Sequence, residues 1–372
     1  MQEGLRDRSG ASMVAATTLR ILESIMETPA ETPERKAFYD RIDKQNMTAL
    51  WTVMNALITP EPRSQCMAAL WRFEDIRAAM LEAGSLISAK EAERRVLILE
   101  NPGLRGCSKI TTALYAGVQL VMPHEVAPAH RHSQSALRFV IEGKGAFTTV
   151  DGERTYMSPG DFVITPSMTW HDHGNESSDP MFWLDGLDIP LVQFLDASFV
   201  ERHPDEQQPI TKPIGHSGAQ YGANLLPVDH RRGAPTSPIF NYPYARTREA
   251  LDRLGRSSDC DPCHGVKLRY TNPVTGDHAM PTMATFIQLL PPGFKSNPYR
   301  STDATVFCVT EGRGRTRIGD KSLAWAPRDI FVVPSWHPVV HEAIDGECVL
   351  FSFSDRVVQE KLGIWRERRG NF

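Results

Sequence analysis

Pro128-Ala-His-Arg-His-Ser-Gln-Ser-Ala-Leu-Arg-Phe-Val-Ile-Glu-Gly143 is answered a strand or two later by Pro166-Ser-Met-Thr-Trp-His-Asp-His-Gly-Asn175. His130 and His132 alternate at period two, so on a β-strand both imidazoles leave the same face. His171 lies in a second turn-bounded segment, from which it can complete a three-nitrogen cap on one metal ion. Three neutral nitrogens leave several positions of a divalent cation open to other ligands. A lone histidine is usually solvated or packed in a core. Here five of the twelve histidines (His124, His130, His132, His171 and His173) fall in one short span, which favours a shared site.

These two stretches resemble the paired motifs of the cupin superfamily, G-x5-H-x-H-x3-E-x6-G and G-x5-P-x-G-x2-H-x3-N. His130, His132 and Gly143 fit the first motif, with His124 in the leading Gly position and Ala136 in place of the Glu. Gly160, Pro166, His171 and Asn175 fit the second, with Met168 in the middle Gly position. Together with W-L-D-G-L-D-I-P at 183–190, they are similar to the gentisate 1,2-dioxygenase family of bicupin ring-cleaving enzymes. The resemblance implies a mainly β fold of two antiparallel, jelly-roll-like barrels with an N-terminal helical arm. It also implies one Fe(II) per chain on His130, His132 and His171, and a homotetramer. The implied reactants are O2 and a small aromatic carboxylate. Gentisate opening to maleylpyruvate is the expected reaction. Salicylate, 1-hydroxy-2-naphthoate or nitrosalicylate are alternative substrates, and a non-catalytic or isomerase metal-binding cupin is the alternative from another class.

The absent Glu bears on substrate choice. Without an anionic ligand the ion keeps its full charge and favours anionic, chelating substrates. Two residues on, and on the same strand face, stands Arg138, a planar fork suited to a carboxylate. The resemblance adds Arg94, in E-R-R at 93–95, as a second contact for that carboxylate. His173 shares a face with His171 and can bond a substrate oxygen or move a proton near neutral pH. The resemblance also implies that Asp185 is a pocket carboxylate that orients the ring hydroxyl or a ligating histidine. Gln119, Tyr115 and Trp183 are candidate wall residues.

At 372 residues and a net charge of −4, the chain can bury a large core and carries no basic excess, which excludes a nucleic-acid partner by charge. No apolar run approaches the ~20 residues that span a bilayer, and no secretory pattern is visible, so no membrane partner and a cytoplasmic location are expected. Six scattered cysteines do not make a disulfide framework. Cys260-Asp-Pro-Cys263-His264 matches the haem-attachment pattern, but it sits among turn formers without helical context and reads as chance.

Along the chain, residues 1–30 are expected to be frayed, within a helical arm reaching residue 90. Thr32-Pro33-Glu34 marks a helix start, followed by an apolar stripe of Phe38, Ile42, Met47, Leu50, Trp51 and Met54. A second helix runs through Phe73, Ile76 and Met80 to Gly84. A metal-binding barrel is expected over 91–200, with a strand over 110–121 and a hairpin turn at Asp151-Gly152. Residues 201–280 read as a connection, 281–358 as a second barrel and 359–372 as a tail. The duplication is legible: V-I-E-G-K-G at 140–145 matches V-T-E-G-R-G at 309–314, and P-G-D-F-V-I-T-P-S at 159–167 matches P-R-D-I-F-V-V-P-S at 327–335. In the second copy Tyr299, Ser301 and Val339 stand where His130, His132 and His171 stand in the first, so that copy is expected to be metal-free.

Overall fold

A computed structural model describes residues 32–230, 235–370 and 372. The frayed stretch expected over residues 1–30 lies outside them. The chain divides into two units, 1–61 and 62–372. In the first, helix α1 (Pro33–Asp43) starts as expected, Thr32 Oγ1 accepting from the Arg35 N–H at 3.3 Å. The apolar stripe does not continue as one helix. Residues 44–49 break it, and α2 (Leu50–Leu57) follows, with Trp51 Nε1 donating to Tyr39 Oη at 3.1 Å.

The second unit is built from two copies of one strand–helix–barrel sequence. The first copy runs β1 (Ala69–Trp71), α3 (Phe73–Leu86), α4 (Ala89–Ala92), β2 (Val96–Ile98), β3 (Tyr115–Val121), β4 (Val126–His132) and β5 (Ala136–Glu142). It continues through β6 (Ala146–Val150), β7 (Glu153–Tyr156), β8 (Phe162–Thr165), β9 (His171–Asn175), β10 (Met181–Leu187), α5 (Ile189–Phe194) and β11 (Val200–Arg202). After α6 (His216–Tyr221) the second copy repeats the order. Its elements are β12 (Asn241–Tyr242), α7 (Tyr244–Ser257), β13 (Val266–Arg269), β14 (Ala284–Leu290), β15 (Tyr299–Ser301), β16 (Thr305–Glu311), β17 (Gly314–Ile318) and β18 (Lys321–Trp325). β19 (Ile330–Val333), β20 (Val339–Ala343), β21 (Cys348–Ser354), α8 (Arg356–Lys361) and β22 (Glu367–Arg369) complete it.

Each barrel is two facing antiparallel sheets. The first has the orders β12-β8-β5-β10-β3-β2 and β11-β4-β9-β6-β7; the second has β1-β19-β16-β21-β14-β13 and β18-β17-β20-β15-β22. The repeats therefore exchange their first strands: β1 pairs with β19 of the second barrel, and β12 with β8 of the first. One aspartate secures each exchange. Asp161 accepts the Tyr244 N–H at 2.8 Å where α7 begins, and Asp329 accepts the Phe73 N–H at 3.0 Å where α3 begins. Carboxylates at helix N-termini satisfy donors that have no partner within the helix. The exchange also changes the expected boundaries. The 201–280 connection contains β12, α7 and β13, the 1–90 arm supplies β1, and the 359–372 tail supplies β22.

Local details follow from backbone chemistry. The strand expected from residue 110 begins at Tyr115, because 110–114 close a turn, Ile110 N donating to Leu114 O at 3.1 Å. Asp151 and Gly152 form the expected hairpin at φ 48° and 78°. Gly143, at φ 97°, has no room for a Cβ, which would lie 2.6 Å from the Pro180 carbonyl. At the two motif positions where Gly is replaced, the left-handed backbone persists: His124 has φ 64° and Met168 φ 55°. That conformation lets Met168 N donate to His132 O at 2.7 Å, tying the loop before β9 to the end of β4.

Between the barrels the outer faces of the two six-stranded sheets share one core. Phe139 of β5 stacks on Phe351 of β21 at 4.0 Å and 9°, with Phe162 and Tyr270 against the same ring. Replacing Phe351 by Ala is expected to cost about 3–5 kcal/mol. Scanning calorimetry should show a lowered transition, and an unchanged one would mean that this core does not couple the barrels.

Candidate active site

The antiparallel pairing of β4 with β9 places His130 directly opposite His171. Within the first barrel, ligating atoms of His130, His132 and His171 all lie within 4.8 Å of one another. Backbone carbonyls orient the rings: His132 Nδ1 is 2.8 Å from Gln134 O and His171 Nδ1 is 2.9 Å from Thr169 O. A proton on Nδ1 satisfies those contacts and leaves each Nε2 as a lone-pair donor. His171 Nε2 is buried with no hydrogen-bond partner in the chain. Burial, aided by neighbouring positive charge, pushes His130 down to about 3 and His132 to about 4, and holds His171 well below the ordinary range. Three neutral nitrogens converge, and they fit one divalent metal ion.

Facing them is the inner surface of the six-stranded sheet, where Arg138 pairs with Asp185 across β5 and β10. Arg138 Nη1 donates to Thr165 Oγ1 at 2.6 Å, while Nε lies 3.5 Å from Asp185 Oδ1 without reaching hydrogen-bond geometry. That single hydrogen bond engages one of five donors in a side chain that is only 4% exposed. Trp183 Nε1 donates to the same Asp185 oxygen at 3.0 Å. Burial raises Asp185 to about 6, and Arg138 opposes that rise. Asp185 thus braces Arg138 and Trp183, and among the described residues it makes no hydrogen bond or ion pair with His130, His132 or His171. Gln119 is buried on β3 opposite Trp183, and Tyr115 stands on the same face, where burial and Asp185 raise its phenol.

Arg94 and Arg95, adjacent in sequence, diverge. Arg95 is buried in a fork with Glu125 at 2.8 and 2.9 Å and holds the barrel rim. Arg94 reaches the site, its Nη2 lying 2.6 Å from Pro128 O and 2.5 Å from His130 Nδ1. His173 is fully buried beside Trp183, with ring centroids 5.6 Å apart. Its Nδ1 lies 2.6 Å from Thr148 Oγ1, and its Nε2 has no partner. Thr148 and Thr165 escaped the sequence reading. A signal for Thr165 was present, because its counterpart in the second repeat is Val333.

Residues 117–187 match the cupin domain family. The chain is 59% identical over 346 residues to gentisate 1,2-dioxygenase 1 of Aquipseudomonas alcaligenes, covering 93% of this chain and 99% of that relative. The chain belongs to the gentisate 1,2-dioxygenase family. A gentisate 1,2-dioxygenase of a Streptomyces species is 38% identical, covering 92% of this chain and 99% of the relative. Among solved structures, salicylate 1,2-dioxygenase from Pseudoaminobacter salicylatoxidans, determined as an adduct with gentisate, superposes with a TM-score of 0.88 at 33% identity. That superposition covers 93% of this chain and 97% of the other. No helix among the described residues is long and apolar enough to cross a membrane.

In this family member's second barrel, β15 and β20 pair Tyr299 with Val339, the register that brings His130 to His171 in the first. Among the described residues the three histidines form the only group arranged to hold a metal. Metal analysis should therefore return one ion per chain, lost in His130→Ala, His132→Ala and kept in His341→Ala. Two ions per chain would contradict this reading.

Proposed function

We propose that the first barrel, over 91–200, holds Fe(II) on His130, His132 and His171 and cleaves gentisate with O2 to maleylpyruvate. The second barrel, expected over 281–358 and extended by β13 at 266–269 and β22 at 367–369, serves as a metal-free support. The observation that carries this reading is three neutral nitrogen donors facing a buried arginine with unengaged donors. When bound, Fe(II) supplies coordination sites for an anionic chelate and for O2, which removes much of the entropic cost of their encounter. Arg138 then takes the substrate carboxylate, with Arg94 as the second cation near His130. Asp185, itself held by Trp183 Nε1, positions Arg138. His173, kept neutral by burial, offers Nε2 to a substrate oxygen while Thr148 fixes its ring. Gln119 and Tyr115 complete the wall.

Salicylate is the second reading, favoured by the superposition on salicylate 1,2-dioxygenase. Oxygen uptake by the iron(II)-loaded protein, measured with gentisate and salicylate in parallel, decides between them. Absence of uptake with either would favour a non-catalytic cupin. We also infer a cytoplasmic homotetramer. The large apolar side chains Phe194, Leu195, Phe199 and Val200 are each more than 60% exposed, as expected of subunit contacts. Light scattering should return four chains, and a stable monomer would contradict it.

A charge-assisted contact is worth about 1.5–3 kcal/mol. Arg138→Ala should therefore keep its iron and lower kcat/KM for gentisate about ten- to a hundredfold. Arg138→Lys should recover only part of this, because Lys lacks the fork. Wild-type kcat/KM in Arg138→Ala, or loss of its iron, would rule out the carboxylate role.

A further inference from the structure

The second barrel lost its metal ligands but not its polar lumen. Gln288 occupies the register position of Gln119, and Thr316 holds His341 Nδ1 at 2.9 Å as Thr148 holds His173. One charge has been added: Lys267 on β13 stands directly opposite Gln288 on β14, where the first barrel has Val96 opposite Gln119. Lys267, Gln288, His341 and Tyr299 line one cavity of about 30 Å³, bounded on its apolar side by Phe286 and Phe307. That is room for about two water-sized probes, which suits a compact anion of a few atoms and excludes an aromatic acid.

Two side chains in this cavity are under-bonded. Lys267 has no hydrogen bond or ion pair among the described residues, and its ammonium rests 4.7 Å from the Phe286 ring. Gln288 is 1% exposed; its Nε2 donates to His264 O at 2.7 Å, and its Oε1 has no partner. The site therefore presents a cation and, opposite it across the strand pair, an acceptor that needs a donor. Asp303 also lines the cavity and attracts the Lys267 ammonium without bonding to it, its Oδ1 accepting from Trp365 Nε1 at 2.9 Å. Arg356, at the edge, is engaged by Glu360 at 2.7 Å.

We propose that the second barrel is a binding site for a small oxyanion that carries an O–H group, of the bicarbonate class. Its negative oxygens face Lys267, and its hydroxyl donates to Gln288 Oε1. Burial pushes Lys267 down to about 8, a shift that an anion beside the ammonium opposes. A site of this kind is separate from the metal centre and independent of the reaction assigned to it.

The test is thermal unfolding near neutral pH with sodium bicarbonate against sodium chloride at matched ionic strength, on wild type, Lys267→Met and Gln288→Leu. Carbon-13 saturation transfer from labelled bicarbonate runs in parallel. Wild type should show a saturable, bicarbonate-specific rise in Tm that persists in the His130→Ala, His132→Ala chain. Lys267→Met should raise the apparent Kd about ten- to a hundredfold. Gln288→Leu should reduce the preference for bicarbonate over chloride. Equal rises in wild type and Lys267→Met, no rise in wild type, or a rise abolished by the two histidine substitutions would each overturn the proposal. If Lys267→Met proves unstable, Lys267→Arg, which keeps the charge, must retain the saturation-transfer signal, and its loss there would also count against the site.

Discussion

The pairing of β4 with β9 is the constraint on which the candidate site depends. It brings His130 against His171, where burial holds the imidazoles neutral. Positive charge works in the same direction, because Arg94 and Arg138 both disfavour protonation of the ligand rings. The two arginines therefore keep the nitrogens available for a metal and also make the cup attractive to an anion. A buried guanidinium is costly without compensation. Asp185 compensates only partly, since Trp183 Nε1 draws on the same oxygen and Arg138 Nε remains 3.5 Å away. An arginine braced but left under-bonded is suited to receive a carboxylate from outside the chain.

Support for that arginine reaches into the other repeat. Thr165, which accepts from Arg138, ends β8, and the outer partner of β8 is β12, residues 241–242 of the second copy. Asp161, at the start of the same segment, caps the helix that follows β12. Because the first strands are exchanged, neither barrel has its complete edge from its own repeat. The continuous core around Phe139 and Phe351 adds a second tie. The second barrel, with Tyr299 and Val339 at the paired positions, is thus a mechanical part of the site in its neighbour.

Much of this was legible in the sequence. The H-x-H alternation, the spacing to His171 and the duplicated P-x-D segments all report on period-two strands, where spacing alone decides which face a residue occupies. The strand exchange was not legible. β1 and β12 are three and two residues long, and their pairing is set by tertiary contacts at large sequence separation. Nor did composition separate Arg94 from Arg95, whose roles divide only because Glu125 folds back to form a fork with one of them. The breakdown of the helical stripe at residues 44–49 is a similar failure, because an apolar period does not register where the backbone turns.

Comparison of the two lumens separates what belongs to the barrel from what belongs to the candidate metal site. Arg138 becomes Phe307 and Thr165 becomes Val333 at matching register, the latter two side chains packing in one apolar cluster. Without a metal or an anionic substrate, a buried guanidinium there would have nothing to offset its desolvation, and an apolar pair fills the same space at lower cost. The Thr–His contact survives in both copies, at 2.6 and 2.9 Å, because it is satisfied inside the chain whatever the lumen contains. What differs is the surroundings. His341 lies 5.1 Å from the Phe307 ring, whereas His173 keeps a buried Nε2 with no partner in the chain, among two arginines and the ligating histidines. The inherited hydrogen bond holds the ring, and its surroundings in the first barrel leave a nitrogen free for chemistry.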